Sequence, residues 1–167
     1  MDNLYLPDKI VRGNLVSAVV LGAVDDALHQ SLRVTDTTQD TILTDLLSAS
    51  RMMIEGNLGY LGNFEWTLTY PAGNGRFFLP IPTVKDSTLP EGWTKGTGMF
   101  AFMDGEFSEE FEIQVENEFT PNDVNVLKVV QRSLVGTMYR SPDYGAAQDI
   151  RINPINASLL AQFRVKA

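Results

Sequence analysis

Apolar residues in the first third of the chain recur at helical spacing. From Val24, apolar residues occupy positions i, i+3, i+4 and i+8, the small Ser31 takes i+7, and charged and amide side chains take the opposite side. This pattern predicts a short amphipathic helix over residues 22–33. A second apolar set that begins at Ile42 predicts a longer helix over residues 38–57, and Gly59 is placed to end it in the left-handed C-cap conformation.

The middle of the chain changes to a two-residue repeat. Aromatic and aliphatic residues alternate with polar ones from Phe64 to Tyr70, which predicts a half-buried strand. Similar runs at residues 76–79 and 99–103 predict two more strands, and Asp104-Gly105 predicts a turn into a fourth. Residues 63–119 are therefore expected to form a four-stranded, mostly antiparallel β insertion.

Two further helical segments are predicted after the strands. Thr120 and Pro121 supply a side-chain cap and a first helical position, so a long helix is expected over residues 121–139. A loop and a brief β-like run at residues 150–153 follow. The last predicted element is a helical turn over residues 157–163.

The N-terminal region contains β-branched runs on either side of Gly13-Asn14, a pair that suits a tight turn. It is expected to form a hairpin or an extended arm over residues 1–21. The predicted fold is therefore α+β. It combines a small helical bundle, with three main helices and a short C-terminal helical turn, with a four-stranded mostly antiparallel β insertion.

Composition agrees with a compact domain. The chain has 167 residues, of which 44% are hydrophobic, and no stretch approaches the roughly 20 apolar residues of a membrane span. The N-terminus lacks the pattern of a secretory signal. Cysteine is absent, which excludes disulfides, thiolate nucleophiles and cysteine-based zinc sites.

The net charge of −8 is concentrated in one segment. Seven carboxylates and no Lys or Arg lie between Asp104 and Glu118, whereas the other 14 acidic residues nearly balance the 13 basic ones. Such a segment disfavours binding to nucleic-acid phosphates, because that binding depends on Lys and Arg that displace counterions.

Most of these carboxylates are predicted to lie on one face of the fourth strand. The candidate acidic face consists of Glu110, Glu112, Glu116 and Glu118. A solvated strand surface is the simplest explanation, because alternation alone produces such faces. A calcium site would need roughly six to eight oxygen ligands, and the loop spacing for one is missing. A glycosidase would need two carboxylates across a cleft, which neighbours on one exposed strand do not provide.

Other residues are candidates for contacts with partners. Trp93 lies in a Gly/Pro-rich segment over residues 85–98 and is predicted at the tip of a loop, as a contact residue. His29 is the only histidine and is interpreted as a surface residue near Asp25 or Asp26, because one His without Cys cannot build a zinc site. The C-terminal candidates form an apolar-plus-basic tail that suits docking on its own domain or on a neighbour: Leu159, Leu160, Phe163 and Arg164.

The order of these elements resembles that of the head–tail connector (adaptor) proteins of tailed double-stranded-DNA phages. The matching features, in chain order, are Leu32-Arg33-Val34, the acidic linker Thr35 to Asp40, the helix that ends at Gly59, Trp66, the strands from Phe77 to Phe119, the helix from Pro121 to Tyr139 with Arg140, and Leu159 to Arg164. The likeness runs from about residue 21 to the end. The N-terminal arm is longer than the family pattern, and Gln-Phe-Arg stands where the family often has Pro-Tyr-Arg.

The resemblance implies a structural virion protein without catalytic residues, metal or cofactor. Such proteins form a ring, commonly dodecameric, that is mounted beneath the portal, extends the DNA channel and offers a surface to the next neck or tail component. DNA passes through without sequence-specific binding. In such a ring the acidic face is expected to line the channel, where like-charge repulsion keeps DNA from adhering.

The resemblance also implies one connector domain over residues 1–167. Its expected segments are an N-terminal arm (1–21), a helical pair (22–62), the β insertion (63–119), a long helix (120–140) and a C-terminal segment (141–167). Two alternatives remain open from the sequence. One is another neck or tail-completion protein, and the other is an acidic-site hydrolase or cation-binding module carried on the strands.

Overall fold

The computed structural model describes residues 3–96, 100–140 and 152–166. The described elements, in chain order, are β1 (Asn3–Tyr5), β2 (Lys9–Ala18), α1 (Asp26–Leu32), α2 (Asp40–Leu58), β3 (Gly62–Tyr70), β4 (Gly73–Leu79), a 3-10 turn (Asp86–Thr88), β5 (Thr94–Lys95), β6 (Ala101–Phe107), β7 (Phe111–Glu116), α3 (Pro121–Arg140) and α4 (Pro154–Ala161). The fold is mixed α+β, as predicted, with four helices and two sheets among the described residues.

The chain divides into two compact units. The β unit comprises the residues up to Val19, those from Gly62 to Thr120, and those from Gln162 onward. The helical unit comprises residues 20–61 and 121–161. No described helix is both long enough and apolar enough to cross a membrane.

The helical unit is built on the apolar stripes of its two long helices. Leu43 and Ile54 of α2 and Leu127 and Leu134 of α3 are fully or almost fully buried. Gln131 is buried beside them and connects the elements, since its Oε1 accepts a hydrogen bond from the Gly22 amide at 2.8 Å and its Nε2 donates to the Leu47 carbonyl at 3.1 Å.

Local capping explains the ends of the helices. α1 begins later than predicted because the Asp25 side chain accepts from the Leu28 amide at 2.8 Å and makes Asp25 the N-cap. α2 ends at Gly59 in the left-handed conformation, with φ 82°, as predicted. α3 begins at Pro121, as predicted. α4 begins earlier than the predicted helical turn because Asn153 Oδ1 caps the Asn156 amide at 2.8 Å.

The β unit contains a four-stranded and a three-stranded sheet among the described residues, which is broadly consistent with the predicted four-stranded insertion but adds a second sheet. One sheet has the order β1-β4-β6-β5, with β1 and β4 parallel. The other has the order β2-β3-β7 and is antiparallel throughout. The predicted insertion is incomplete because two strands from the N-terminal region, β1 and β2, join strands that lie much later in the chain.

The predicted hairpin at Gly13-Asn14 is wrong, and the alternative of an extended segment fits. Both residues lie inside β2, where the pairing with β3 shifts register between Arg12 and Leu15. A bulge of this kind absorbs an extra residue while the strand continues. Gly13 suits the position, because a Cβ there would lie only 3.3 Å from the Glu65 carbonyl oxygen.

The predicted turn at Asp104-Gly105 is also wrong, since both residues lie within β6. Asp104 is directly opposite Arg76 of β4, and Gly105 is opposite Gly75. The side chains of Arg76 and Asp104 form a two-pronged ion pair with N–O distances of 2.7 and 2.9 Å. This pairing keeps the strand extended, so the chain turns at residues 108–110 instead.

Aromatic side chains fill the interior of the β unit. Phe111 of β7 stacks on Tyr70 of β3 at 5.2 Å between ring centroids and on Phe107 of β6 at 4.1 Å. Phe77 of β4 stacks on Tyr5 of β1 at 4.8 Å. These contacts join residues of both sheets in one apolar core.

A buried amide group fixes the end of β3. Asn117 is 1% exposed, and its Oδ1 accepts from the Phe64 amide at 3.0 Å and from Trp66 Nε1 at 2.7 Å. Its Nδ2 donates to the Gly62 carbonyl at 3.0 Å. One side chain thereby satisfies three polar groups at the start of the strand.

Replacing Asn117 by Ala should lower the free energy of unfolding by about 2–3 kcal/mol, because two buried donors and one acceptor lose their partner. Chemical denaturation of the full chain measures the change. Asn14→Ala is the matched control, because the Asn14 side chain is exposed and lies 3.4 Å from Glu65, and about 0.5 kcal/mol or less is expected there. Equal losses in the two variants would contradict this role of Asn117.

Candidate interaction surfaces

The acidic segment is divided between the two sheets. Asp104 and Glu106 belong to β6, whereas Glu112 and Glu116 belong to β7. Glu110 is exposed in the connection before β7, and Glu118 follows β7, where its amide donates to the Thr83 carbonyl at 2.8 Å. The prediction of one face on one strand therefore holds only for the central part of the segment.

The exposed face of the three-stranded sheet extends the candidate acidic face to neighbouring strands. In an antiparallel sheet, residues directly opposite each other point to the same side. The resulting rows across β2, β3 and β7 are Lys9–Thr69–Glu112 and Val11–Thr67–Gln114, with Glu65 opposite Glu116 in a third row. We call this surface the polar sheet face.

Sequence reasoning missed Lys9 and Glu65 as members of this surface. Alternation within one strand shows which residues share a side, but it does not show which strand lies next to it. Only the register places Glu65 directly opposite Glu116, so that two carboxylates are cross-strand neighbours.

Hydrogen bonds and one lysine moderate the charge of this face. Lys85 Nζ lies 3.7 Å from a carboxylate oxygen of both Glu116 and Glu118. Asn14 donates to Glu65. A depression of about 200 Å³ lies on this face, and the residues that line it include Glu65, Thr67, Thr88, Gln114 and Glu116.

The carboxylates of β6 have a different environment. The Arg76 guanidinium donates to Asp104 and holds the pKa of that carboxyl below its usual range. Arg76 also covers the Phe102 ring, with 4.4 Å between its Cζ and the ring centroid. Within the described part of the chain, no group of three or more His, Asp or Glu residues is arranged to hold a metal ion.

The exposed position predicted for Trp93 is wrong. Its side chain is only 8% exposed, and its ring centroid lies 5.6 Å from that of Tyr70 in the aromatic core. Gly and Pro on either side correctly indicated a turn, but they do not determine whether the side chain points inward. A direct contact between Trp93 and a partner would therefore require the loop to move.

The C-terminal candidates lie in different environments. Leu160 and Phe163 are fully buried, Leu159 is half-buried and Arg164 is exposed. Phe163 packs on Phe119 at 5.6 Å between ring centroids, and the Lys166 amide donates to the Pro80 carbonyl at 3.1 Å. Of the two predicted alternatives, these contacts within the β unit support docking on the chain itself.

The surface position predicted for His29 is wrong as well. Its ring is half-buried, and Nε2 lies 2.7 Å from Oδ1 of Asp40 in the first turn of α2. The sequence suggested Asp25 or Asp26 as its neighbours, but Asp25 caps α1 instead. The contact ties α1 to the start of α2 and has a structural role.

The fold is similar to that of a chain in a solved structure described as the neck of an empty GTA (gene transfer agent) particle, computed with C6 symmetry. The TM-score is 0.51 at 19% sequence identity, and the likeness covers 95% of this chain and 96% of that chain. At this identity the likeness establishes the fold alone. No protein-family model matches the chain, and no curated protein matches its sequence.

Glu65→Gln should stabilise the protein by about 0.2–1 kcal/mol at low salt, because it removes a like charge directly opposite Glu116. The gain should disappear at about 1 M salt, where charges are screened within roughly 3 Å. Denaturant unfolding at both salt concentrations measures it. Glu106→Gln is the control, because Glu106 lies opposite the neutral Asn74. A Glu65→Gln variant no more stable than the control would contradict repulsion across the polar sheet face.

Proposed function

We propose that this chain is a structural protein of the neck of a tailed phage or phage-like particle. It acts there as a head-to-tail adaptor, whose copies form a ring beneath the portal. The observation that carries the proposal is a fold shared over 95% of the chain with a neck component. The order of helices, strands and C-terminal segment that resembles the adaptor family supports the same role independently.

The proposed ring has twelve copies, as is common in the adaptor family. A twelve-membered ring contains sixfold symmetry, so the C6 symmetry used for the similar neck is compatible with it. The chain would act as one connector domain. Its partners would be other copies of itself, the portal protein and the next neck or tail protein, and it would require no cofactor.

In this role the polar sheet face would line the DNA channel, together with Glu110 and Glu118. Its carboxylates are exposed or half-buried, and Lys85 is the cation next to Glu116 and Glu118. A negative wall repels the phosphate backbone, so DNA would move past it without being held. The buried face of the same sheet, which carries Trp66 and Leu68, would anchor this wall to the aromatic core.

Assembly of the purified chain tests the proposal. The full-length protein, mixed with the portal protein of its own particle, should elute in size-exclusion chromatography with light scattering as a complex containing several copies of the chain. Negative-stain images should show rings. Adaptors of this family include proteins that are monomers until docked, so the experiment is run with and without portal.

A portal protein from an unrelated phage is the matched control, and it should not recruit the chain. A chain that stays monomeric with its own portal, and forms no ring at any concentration tested, would overturn the proposal. Rings that bind a tail protein but never the portal would favour the alternative of another neck or tail-completion protein.

A further inference from the structure

We propose that copies of the chain join edge to edge through the three-stranded sheet, with β2 of one copy lying beside β7 of the next. This inference deepens the proposed function, because it names the surface through which the ring would close. It rests on the two outer edges of this sheet, on their opposite charges, and on their common strand direction.

The outer edge of β2 is long and exposed. β2 has ten residues, and among the described residues no strand pairs with it on the side away from β3. Three of its apolar side chains are exposed: Val11 at 41%, Leu15 at 55% and Val16 at 48%. Exposed edges with apolar side chains are templates for pairing with another strand.

The outer edge of β7 is partly closed and partly open. At Glu116 the amide donates to Thr88 Oγ1 at 3.0 Å, and the carbonyl accepts from the Lys85 amide at 2.8 Å. Backbone groups alternate in direction along a strand of an antiparallel pair. Glu112 and Gln114 therefore direct their backbone amides and carbonyls to the same outer edge, and in the described part of the chain no strand pairs with them there.

The two edges carry opposite charges. On the polar sheet face, Lys9 is the only charged residue of β2, and Glu112 and Glu116 are the charged residues of β7. Arg12, the other charged residue of β2, lies opposite Trp66 and points to the other side of the sheet. Pairing β2 with β2, or β7 with β7, would bring like charges together, whereas pairing β2 with β7 brings opposite charges together. Charge therefore selects the pairing of unlike edges and opposes the two like pairings.

Pairing of unlike edges has the geometry that a ring requires. The same two edges can then be used at every joint, and such a head-to-tail interface closes into a ring when the rotation between copies allows it. β2 and β7 are both antiparallel to β3, so they run in the same direction. If the ring axis runs along the strands, the rotation that relates one copy to the next leaves the strand direction unchanged. β2 of one copy and β7 of the next are therefore parallel.

The register within one copy predicts the register between copies. Lys9 and Glu112 lie at the two ends of one row across the sheet, both paired with Thr69. Without a shift along the strands, Lys9 of the second copy lies beside Glu112 of the first. Val11 of the second copy then lies beside Gln114, and the polar sheet face continues from copy to copy.

Disulfide formation tests this arrangement cleanly, because the natural chain has no cysteine. The full-length variant with Lys9→Cys and Glu112→Cys is mixed with its portal under mild oxidation and run on a denaturing gel without reductant. Edge pairing predicts a ladder of covalent multimers, since each copy carries one cysteine on each edge. The second pair, Val11→Cys with Gln114→Cys, should give the same ladder.

Two controls define what the ladder means. Lys9→Cys with Glu55→Cys moves the second thiol from β7 to the exposed face of α2, and it should give no ladder. A mixture of the two single variants, Lys9→Cys and Glu112→Cys, should stop at dimers of one of each.

A charge reversal tests the same contact without cysteines. A Lys9→Glu variant should assemble about tenfold less readily, and adding Glu112→Lys to it should restore assembly.

The outcomes separate this inference from the proposed function. Rings in the microscope with no ladder from either cysteine pair would overturn edge pairing and leave the adaptor role standing. Dimers as the main product of Lys9→Cys alone would also overturn it, because they would show β2 against β2. Absence of both rings and ladder, with and without portal, would overturn the inference and the proposed function together.

Discussion

The position of β3 between β2 and β7 is the constraint on which the rest of the β unit depends. Because β3 alternates strictly, one side of the sheet buries Trp66 and Leu68 and the other presents Glu65 and Thr67. The register of β2 and β7 against β3 determines which of their side chains lie on each side of the sheet. A shift of one residue would bring carboxylates into the aromatic core, so the same pairing determines both stability and the surface offered to partners.

Asn117 gives that register a fixed reference point. It connects the chain just after β7 to the start of β3, and its Oδ1 accepts a hydrogen bond from the Trp66 indole in the core. The polar sheet face is then held from behind by buried hydrogen bonds and stacked rings. The directly opposed carboxylates of Glu65 and Glu116 can therefore be tolerated on this face. Their repulsion costs less free energy than is gained by burying the apolar side chains on the other face of the sheet.

Local signals predicted the helices well, and non-local pairing explains most of the errors. Pro121 and Gly59 act within their own turn, so their effect is visible in the sequence. β2 reaches its partner across more than forty residues, from Ala18 to Gly62, and no local pattern encodes that contact. Asp104-Gly105 is a turn pair in isolation, but cross-strand pairing with β4 overrides it. For the same reason, the sequence indicates the carboxylates of the acidic face but not their neighbours on adjacent strands, Lys9 and Glu65.

A cryo-electron microscopy reconstruction of the neck of the native particle would show both the position of this chain and the contact between its copies. The proposed adaptor role predicts a ring of this chain in contact with the portal, with Glu112 and Glu116 facing the axis and β2 of each copy beside β7 of the next. A neck in which this chain is absent from the portal-proximal ring, or in which the polar sheet face lies on the outer wall, would contradict it.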